Sequence, residues 1–320
     1  MIVVERVEDL EHDYPYAVVA LGTFDGVHLG HQEILGRVVR RARQERGTAV
    51  VFTFVRHPLE VVNPSKAPPL ITPLPIKREI IEAHDIDLLV AVTFTPFLAD
   101  TPPHDFVKAY LVDRLRARFV CVGYDFAFGK ARAGSPETLR TLGEEYQFGL
   151  DVVPPMTVDG QIVSSTRIRG LLSQGEVLQA ARFLGRPYAI RGEVERGAGR
   201  GKGLGYPTAN LPATADLLIP NGVYACQTWF RGGLQRALVN IGTAPTFGGG
   251  ARRVEVHLVE ASEELYGETL TLFFLGRLRD ERRFETPQLL RQQIEYDRRK
   301  ADEVFAGFPR FSPEEWALLP

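Results

Sequence analysis

The stretch GTFDGVHLGHQEIL, residues 22–35, sets two imidazoles three positions apart, His28 and His31, around Gly30. Gly26 and Gly30 permit tight backbone turns about Val27, His28 and Leu29, and helical geometry from there puts both rings on one face. A helix N-terminus already attracts anions through its free N–H groups and dipole. Two imidazole donors added there could bind the phosphate oxygens of a reacting nucleotide and stabilise charge in its transition state. In isolation the spacing is better explained by a packed, hydrogen-bonded histidine beside a surface one. Zinc fits less well still, because metal-binding helices usually space histidines by four and need a third ligand, and none is evident.

Four other stretches have chemical potential. In VSSTRIRGLL, residues 163–172, Ser164, Ser165 and Thr166 lead into a helical pattern followed by Arg167 and Arg169. Hydroxyl caps and arginines at a helix start form a phosphate cradle, although ordinary capping accounts for them equally well. VGYDFAFGKARAG, residues 122–134, is a strand end followed by an aromatic, basic, glycine-rich loop, suited to an adenine or a polyphosphate or simply to a turn. In GEVERGAGRGKGLGYPTANL, residues 192–211, Gly201 and Gly203 alternate with Arg200 and Lys202. This is not a Walker loop, since Gly203 follows Lys202 where Ser or Thr is required; glycine content alone would equally fit a linker. Thr208 and Asn210 then offer oxygens two residues apart in an extended stretch, a donor set that suits Mg²⁺. In RRVEVHLVEA, residues 252–261, strand alternation puts Val254, Val256 and Leu258 on one face and Glu255 and His257 on the other. Such a carboxylate can serve as general base for a hydroxyl, while a solvated polar face is the usual meaning of the pattern.

The elements that must position these groups fall into two textures. YAVVALGTF, a helix from about His31 to Arg46 closed by Gly47, and TAVVFTF form a βαβ unit. The alternation continues through PIKREIIEAHD, DLLVAVTF, HDFVKAYLVDRLRARF, VCVGY, PETLRTLGEEYQF and LDVVPPM. Strands apolar on both faces between amphipathic helices predict a doubly wound parallel α/β sheet, with ligands beyond the carboxyl ends of its strands. The proline-rich loop NPSKAPPLITPLP is placed near the first site. After FLGRPY, strands follow one another without helices: YAIRGEVER, GVYACQTWF, LQRALVNIG, RRVEVHLVEA and ETLTLFFLGRL. That run predicts a small antiparallel β-barrel or sandwich, closed by one amphipathic helix, TPQLLRQQIEYDRRKADEVF. The domain boundaries expected are 1–184 and 185–320.

Length and composition agree. A chain of 320 residues exceeds what one core usually organises. No stretch has the ~20 apolar residues needed to span a bilayer, and the opening residues lack the pattern of an export signal. Two distant cysteines, Cys121 and Cys226, suggest neither a disulfide framework nor a zinc site and fit a reducing cytoplasm. A net charge of −2 argues against a general nucleic-acid binder.

Together, HLGH and SSTRIR resemble the HxGH nucleotidylyltransferases. The order LGTFDGVHLGH, VGYDFAFGKARAG, VSSTRIRGLL and FLGRPYAIRGEV, then GLGYPTANL, IPNGVYA, NIGTAPTF, VEVHL and LYG, resembles the bacterial bifunctional riboflavin kinase/FAD synthetases over nearly the whole chain. The resemblance implies a HxGH-type sheet carrying an FMN adenylyltransferase and a six-stranded flavokinase barrel. ATP would bind against the first turn, with Gly22 and Phe24 bringing backbone to it and Asp125 near the nucleotide. FMN would attack its α-phosphorus while His28 and His31 stabilise the transition state, and Ser165, Thr166 and Arg169 would hold the departing phosphates. In the barrel, Gly201, Lys202 and Gly203 would cradle ATP, Thr208 and Asn210 would hold Mg²⁺, and Glu255 would take the proton from the riboflavin hydroxyl. The substrates implied are riboflavin, FMN and ATP, with FAD as product and neither nucleic acid nor membrane as partner.

Two departures stand out. Lys202 replaces a common arginine and loses its bidentate phosphate geometry, and Arg56 stands where proline commonly precedes the His57–Pro58 pair, which bears on flavin placement. The alternatives are a HxGH nucleotidylyltransferase with another acceptor, or a non-catalytic flavin or nucleotide sensor. Retention of His28, His31, Arg169 and Glu255 together argues against a sensor, which would not require all four.

Overall fold

The computed structural model describes residues 1–10, 14–195, 208–212, 217–230, 233–243, 252–259 and 265–308. They form two compact units, Met1–Ser165 and Thr166–Pro320.

In the first unit six strands, β1 (Ile2–Val4), β2 (Ala17–Leu21), β3 (Ala49–Phe54), β4 (Leu88–Val92), β5 (Ala117–Gly123) and β6 (Gly149–Val153), form a sheet in the order β1-β4-β3-β2-β5-β6. Every pairing is parallel. Apolar residues at successive positions bury both faces of β2 and β4 completely, as a parallel sheet covered on both sides requires. From β2 the chain winds outward through β3 and β4 and then returns to the other side of β2 as β5. That reversal is the topological switch point where such sheets leave a crevice at the strands' carboxyl ends.

The connecting helices are α1 (Leu29–Gln44), α2 (Leu59–Val62), α3 (Leu74–Ala83), α4 (Pro96–Ala99), α5 (Pro103–Phe106) and α6 (Pro136–Tyr146). Helix α1 begins two residues earlier than its apolar stripe indicates, because His28 itself is the N-cap. It ends at Gln44, two residues short of the expected Arg46, and Gly47 closes it with an N–H bonded to the Ala42 carbonyl at 2.7 Å. The segment after α5, expected to be ordinary helix, is π-helical over Val107–Arg114. Its wider winding brings Val107, Leu111 and Leu115, four residues apart, into the core. A two-stranded hairpin, β7 (Thr157–Val158) and β8 (Gln161–Ile162), follows the sheet.

The second unit begins with α7 (Ser165–Ser173) and α8 (Val177–Leu184), the first residue of α7 lying in the first unit. Strands β9 (Tyr188–Glu193), β10 (Ala209–Pro212), β11 (Gly222–Phe230), β12 (Gly233–Thr243), β13 (Arg252–Leu258) and β14 (Thr269–Arg279) form an antiparallel sheet ordered β10-β13-β12-β11-β14-β9. The sheet curls until its edges meet, where the Glu195 N–H donates to the Asn210 carbonyl at 2.8 Å. Inside it, the Tyr224 and Phe274 rings pack edge to face at 5.4 Å. Helix α9 (Pro287–Ala306), capped by Thr286, covers the outer side through Ala301 and Phe305 against Ala225, Leu238 and Leu275. Its buried Asp297 accepts both Arg279 Nε hydrogen bonds, at 3.1 and 2.9 Å, which fastens the helix to β14.

Candidate active sites

The histidine turn leaves the end of β2, beside the switch point. His28 caps α1: its Nδ1 accepts the His31 N–H at 3.3 Å. That bond leaves Nδ1 without a proton, so the neutral ring carries its hydrogen on Nε2. The two imidazoles stack with centroids 3.6 Å apart and planes 13° from parallel, and the Phe24 ring meets His31 edge-on at 5.1 Å. Gly30 makes this possible, since a Cβ there would stand 3.3 Å from His28 Cε1. Phe24 (φ 46°) and Val27 (φ 36°) both occupy the left-handed region, which is costly for an aromatic and more so for a β-branched residue.

Two residues that the sequence did not single out hold this turn. Asp25 is 2% exposed, and its carboxylate accepts the N–H groups of Ile71, at 2.9 and 3.1 Å, and Thr72, at 3.2 Å. It thereby binds the proline-rich loop to the turn. Lys77 of α3 is equally buried and donates from Nζ to the carbonyls of Thr23 and Phe54, each at 3.1 Å. Burial pushes its ammonium down to about 8, opposed by the Asp25 charge. The available signal was position: Lys77 shares the apolar stripe of Ile76, Ile80 and Ile81.

The remaining candidates of this half are distributed as follows. Ser165 donates its hydroxyl hydrogen to the Asp25 carbonyl at 2.9 Å, tying the first residue of α7 to the turn. Thr166 and Arg169 lie on the first turns of α7, Thr166 exposed and Arg169 half-buried. Asp125 is exposed just beyond β5. Gly22 follows β2 directly, and its N–H bonds to the Phe52 carbonyl at 3.2 Å. In the aromatic loop, Phe126 and Phe128 stack at 5.6 Å and Lys130 pairs with Asp100 at 2.7 Å. Arg56 reaches into solvent and pairs with Glu60 at 3.5 Å, while His57 Nδ1 accepts the Leu59 N–H at 3.1 Å.

In the barrel, Glu255 sits on β13 directly between Asn210 of β10 and Asn240 of β12. Directly opposed residues of antiparallel strands place their side chains within contact range on one face, and Asn240 Nδ2 reaches Glu255 Oε2 at 3.4 Å. Val254, Val256 and Leu258 are buried and Glu255 and His257 half-buried. Thr208 is half-buried and immediately precedes β10. Asn240 was not singled out; a lone amide within the apolar run ALVNIG was its signal. Gly201, Lys202 and Gly203 lie outside the described residues. Neither cysteine joins a site: burial pushes the Cys121 thiol up to about 12 and the Cys226 thiol well above its usual range, so both are inert.

Residues 10–167 match the FAD synthetase family and residues 184–305 the riboflavin kinase family. The bifunctional riboflavin kinase/FMN adenylyltransferase of Bacillus subtilis (strain 168) is 34% identical over 305 residues, spanning 93% of this chain and 95% of that protein. The protein so named in Escherichia coli (strain K12) is 34% identical over 289 residues, spanning 90% and 92%. A crystal structure from Streptococcus pneumoniae, described as a macrolide-efflux protein, shares the fold with a TM-score of 0.84 at 29% identity, covering 94% of this chain and 98% of that one. Among the described residues, no helix is long and apolar enough to cross a membrane.

Proposed function

Because the chain belongs to the bifunctional riboflavin kinase/FMN adenylyltransferase family, we propose a division of its two reactions between residues 1–184 and residues 185–320. The protein phosphorylates riboflavin to FMN and adenylylates FMN to FAD, each with ATP. The observation that supports two separate sites is that each compact unit has its own cluster of chemically competent groups, His28 and His31 in Met1–Ser165 and Asn210, Asn240 and Glu255 in Thr166–Pro320, the units meeting nineteen residues before the proposed boundary.

In adenylyl transfer a phosphate oxygen of FMN attacks the α-phosphorus of ATP, the bond to the bridging oxygen breaks, and pyrophosphate leaves. No side chain need form a covalent bond, so the turn's work is orientation and charge stabilisation. The Nε2–H of His28 and the ring of His31 serve the phosphates, and Gly22 and Phe24 bring the backbone close. Ser165 bonds to the Asp25 carbonyl of the turn, Thr166 and Arg169 receive the departing pyrophosphate, and Asp125 lies toward the nucleotide.

In the phosphorylation the ribityl hydroxyl attacks the γ-phosphorus of ATP, ADP leaves, and Glu255 accepts the hydroxyl proton. Asn240, in contact with one carboxylate oxygen, orients it. Thr208 and Asn210 fit Mg²⁺, because hydroxyl and amide oxygens are hard donors and Asn210 lies directly opposite the Glu255 carboxylate. Such an ion, when bound, neutralises charge on the transferring phosphates. Gly201, Lys202 and Gly203 cradle that ATP.

The test is incubation of the full chain with riboflavin and Mg-ATP, followed by separation of the flavins over time. Riboflavin should give FMN and then FAD. Product stopping at FMN would remove the adenylyltransferase, and conversion of supplied FMN alone would remove the kinase.

A further inference from the structure

We propose that Lys77, acting with Thr53, is a positioning residue for adenylyl transfer, clamping the carbonyl that follows β2 to the end of β3 so that the histidine turn presents its backbone in one orientation. The proposal rests on the assignment of that reaction to the turn.

The Thr23 carbonyl receives two donors from beneath, Lys77 Nζ at 3.1 Å and Thr53 Oγ1 at 2.9 Å. The same ammonium holds the Phe54 carbonyl at 3.1 Å. Lys77 is 2% and Thr53 0% exposed, so neither group is a surface residue that happens to touch a loop. Burying an ammonium is costly unless the site uses it, and an apolar residue would fill this position on the stripe of Ile76, Ile80 and Ile81 without that cost.

The use follows from peptide geometry. The Thr23–Phe24 bond is trans, as no cis peptide occurs among the described residues, so the Phe24 N–H points away from the Thr23 carbonyl. Two donors drawing that carbonyl toward the sheet therefore aim the N–H to the opposite side, and no hydrogen bond from it is found among the described residues. The next residues need such a hold: Phe24 and Val27 both have positive φ, a conformation that persists only where the surroundings enforce it. Through Phe54 the clamp also reaches the segment Val55, Arg56 and His57, so one ammonium sets the histidine turn against the loop after β3. Lys77 touches no reacting atom in this scheme; its effect passes through the main chain.

Lys77→Met, Thr53→Val and the double variant of the full chain test this. For each, kcat and KM for FMN adenylylation are measured together with the rate of riboflavin phosphorylation in the same preparation. Misplacing a reacting geometry by about an ångström can cost up to about 100-fold. Each single variant should lose about 10-fold to 100-fold in the FAD-forming kcat while keeping its kinase rate. Because both donors serve one carbonyl, the double variant should lose less than the product of the two. Folded single variants within about twofold of wild type, or losses that multiply fully, would overturn the proposal. Should Lys77→Met not fold, Thr53→Val decides alone: a reduced kcat at wild-type melting temperature supports the clamp and an unchanged kcat sinks it. A wild-type protein that forms no FAD from FMN would overturn the underlying assignment instead.

Discussion

Asn210 and Glu255 are directly opposed across β10 and β13, and Glu255 is in turn opposed to Asn240 across β12. The register thus joins PTAN and VEVHL, more than forty positions apart in the chain, into one row of amide, carboxylate and amide. A solvated strand face would not need an amide on each side of its carboxylate.

Glu255→Gln should therefore lower riboflavin phosphorylation by about 10²–10⁴, since the amide keeps the shape but is a far poorer base. Conversion of supplied FMN to FAD should continue. The two rates are measured on one folded preparation at saturating Mg-ATP. An unchanged first rate means Glu255 is not the base, and a parallel fall in both means the two reactions are not divided as assigned.

His31→Ala should have the converse effect. Loss of one preorganised donor costs on the order of 10²–10³ in rate, so FAD formation should fall by that factor while FMN formation persists. Undiminished FAD synthesis by the folded variant would leave the stacked pair a structural role only.

Lys77 also predicts a pH dependence of stability. Burial lowers its folded pKa from 10.5 to about 8, whereas the unfolded chain keeps the proton to about 10.5. Between these values the unfolded state binds more protons, so this group's contribution to stability rises with pH. The penalty, roughly 3 kcal/mol, is complete below about pH 8 and is relieved above it. Urea unfolding of the wild type and Lys77→Met at about pH 7.5 and about pH 9.5 should show the wild type gaining about 2 kcal/mol relative to the variant. No relative gain would mean that the ammonium is not held in a depressed state.

Fragment boundaries are a further test. Helix α8 packs on β9 and β14 and buries Val177, Ala180, Phe183 and Leu184. Fragments Thr166–Pro320 and Gly185–Pro320 should both phosphorylate riboflavin and neither should form FAD. The shorter should melt at least about 4 °C lower, the shift that about 1 kcal/mol produces in a domain of this size. A folded fragment without kinase activity would place part of that site elsewhere.

What the sequence made legible was whatever repeats with a period. Continuous apolar runs between amphipathic helices delineated β2–β6, successive β-rich runs delineated β9 and β11–β14, and the histidine pair stood out against Gly26 and Gly30. Groups that break their local pattern were harder to interpret. Lys77 in PIKREIIEAHD looks like an ordinary solvated helix lysine until the stripe of Ile76, Ile80 and Ile81 is drawn through it. Asp25 gains its role from Ile71 and Thr72, some forty-five residues away, and Asn240 from the pairing of β12 with β13; neither register nor loop return is written in local spacing. The π-helix at Val107–Arg114 was hidden because its buried residues, four apart, also suit an α-helix.

The edge of the barrel has a mechanical consequence. The sheet is joined where the Glu195 amide meets the Asn210 carbonyl, and the side chain of that same Asn210 stands opposite Glu255. A zipper and a tool are therefore mounted on one residue. Asn210 is thus gripped from two sides, by the Glu195 amide at the seam and by β13 through its pairing with Glu255, so one short strand both shuts the sheet and sets an amide opposite the carboxylate.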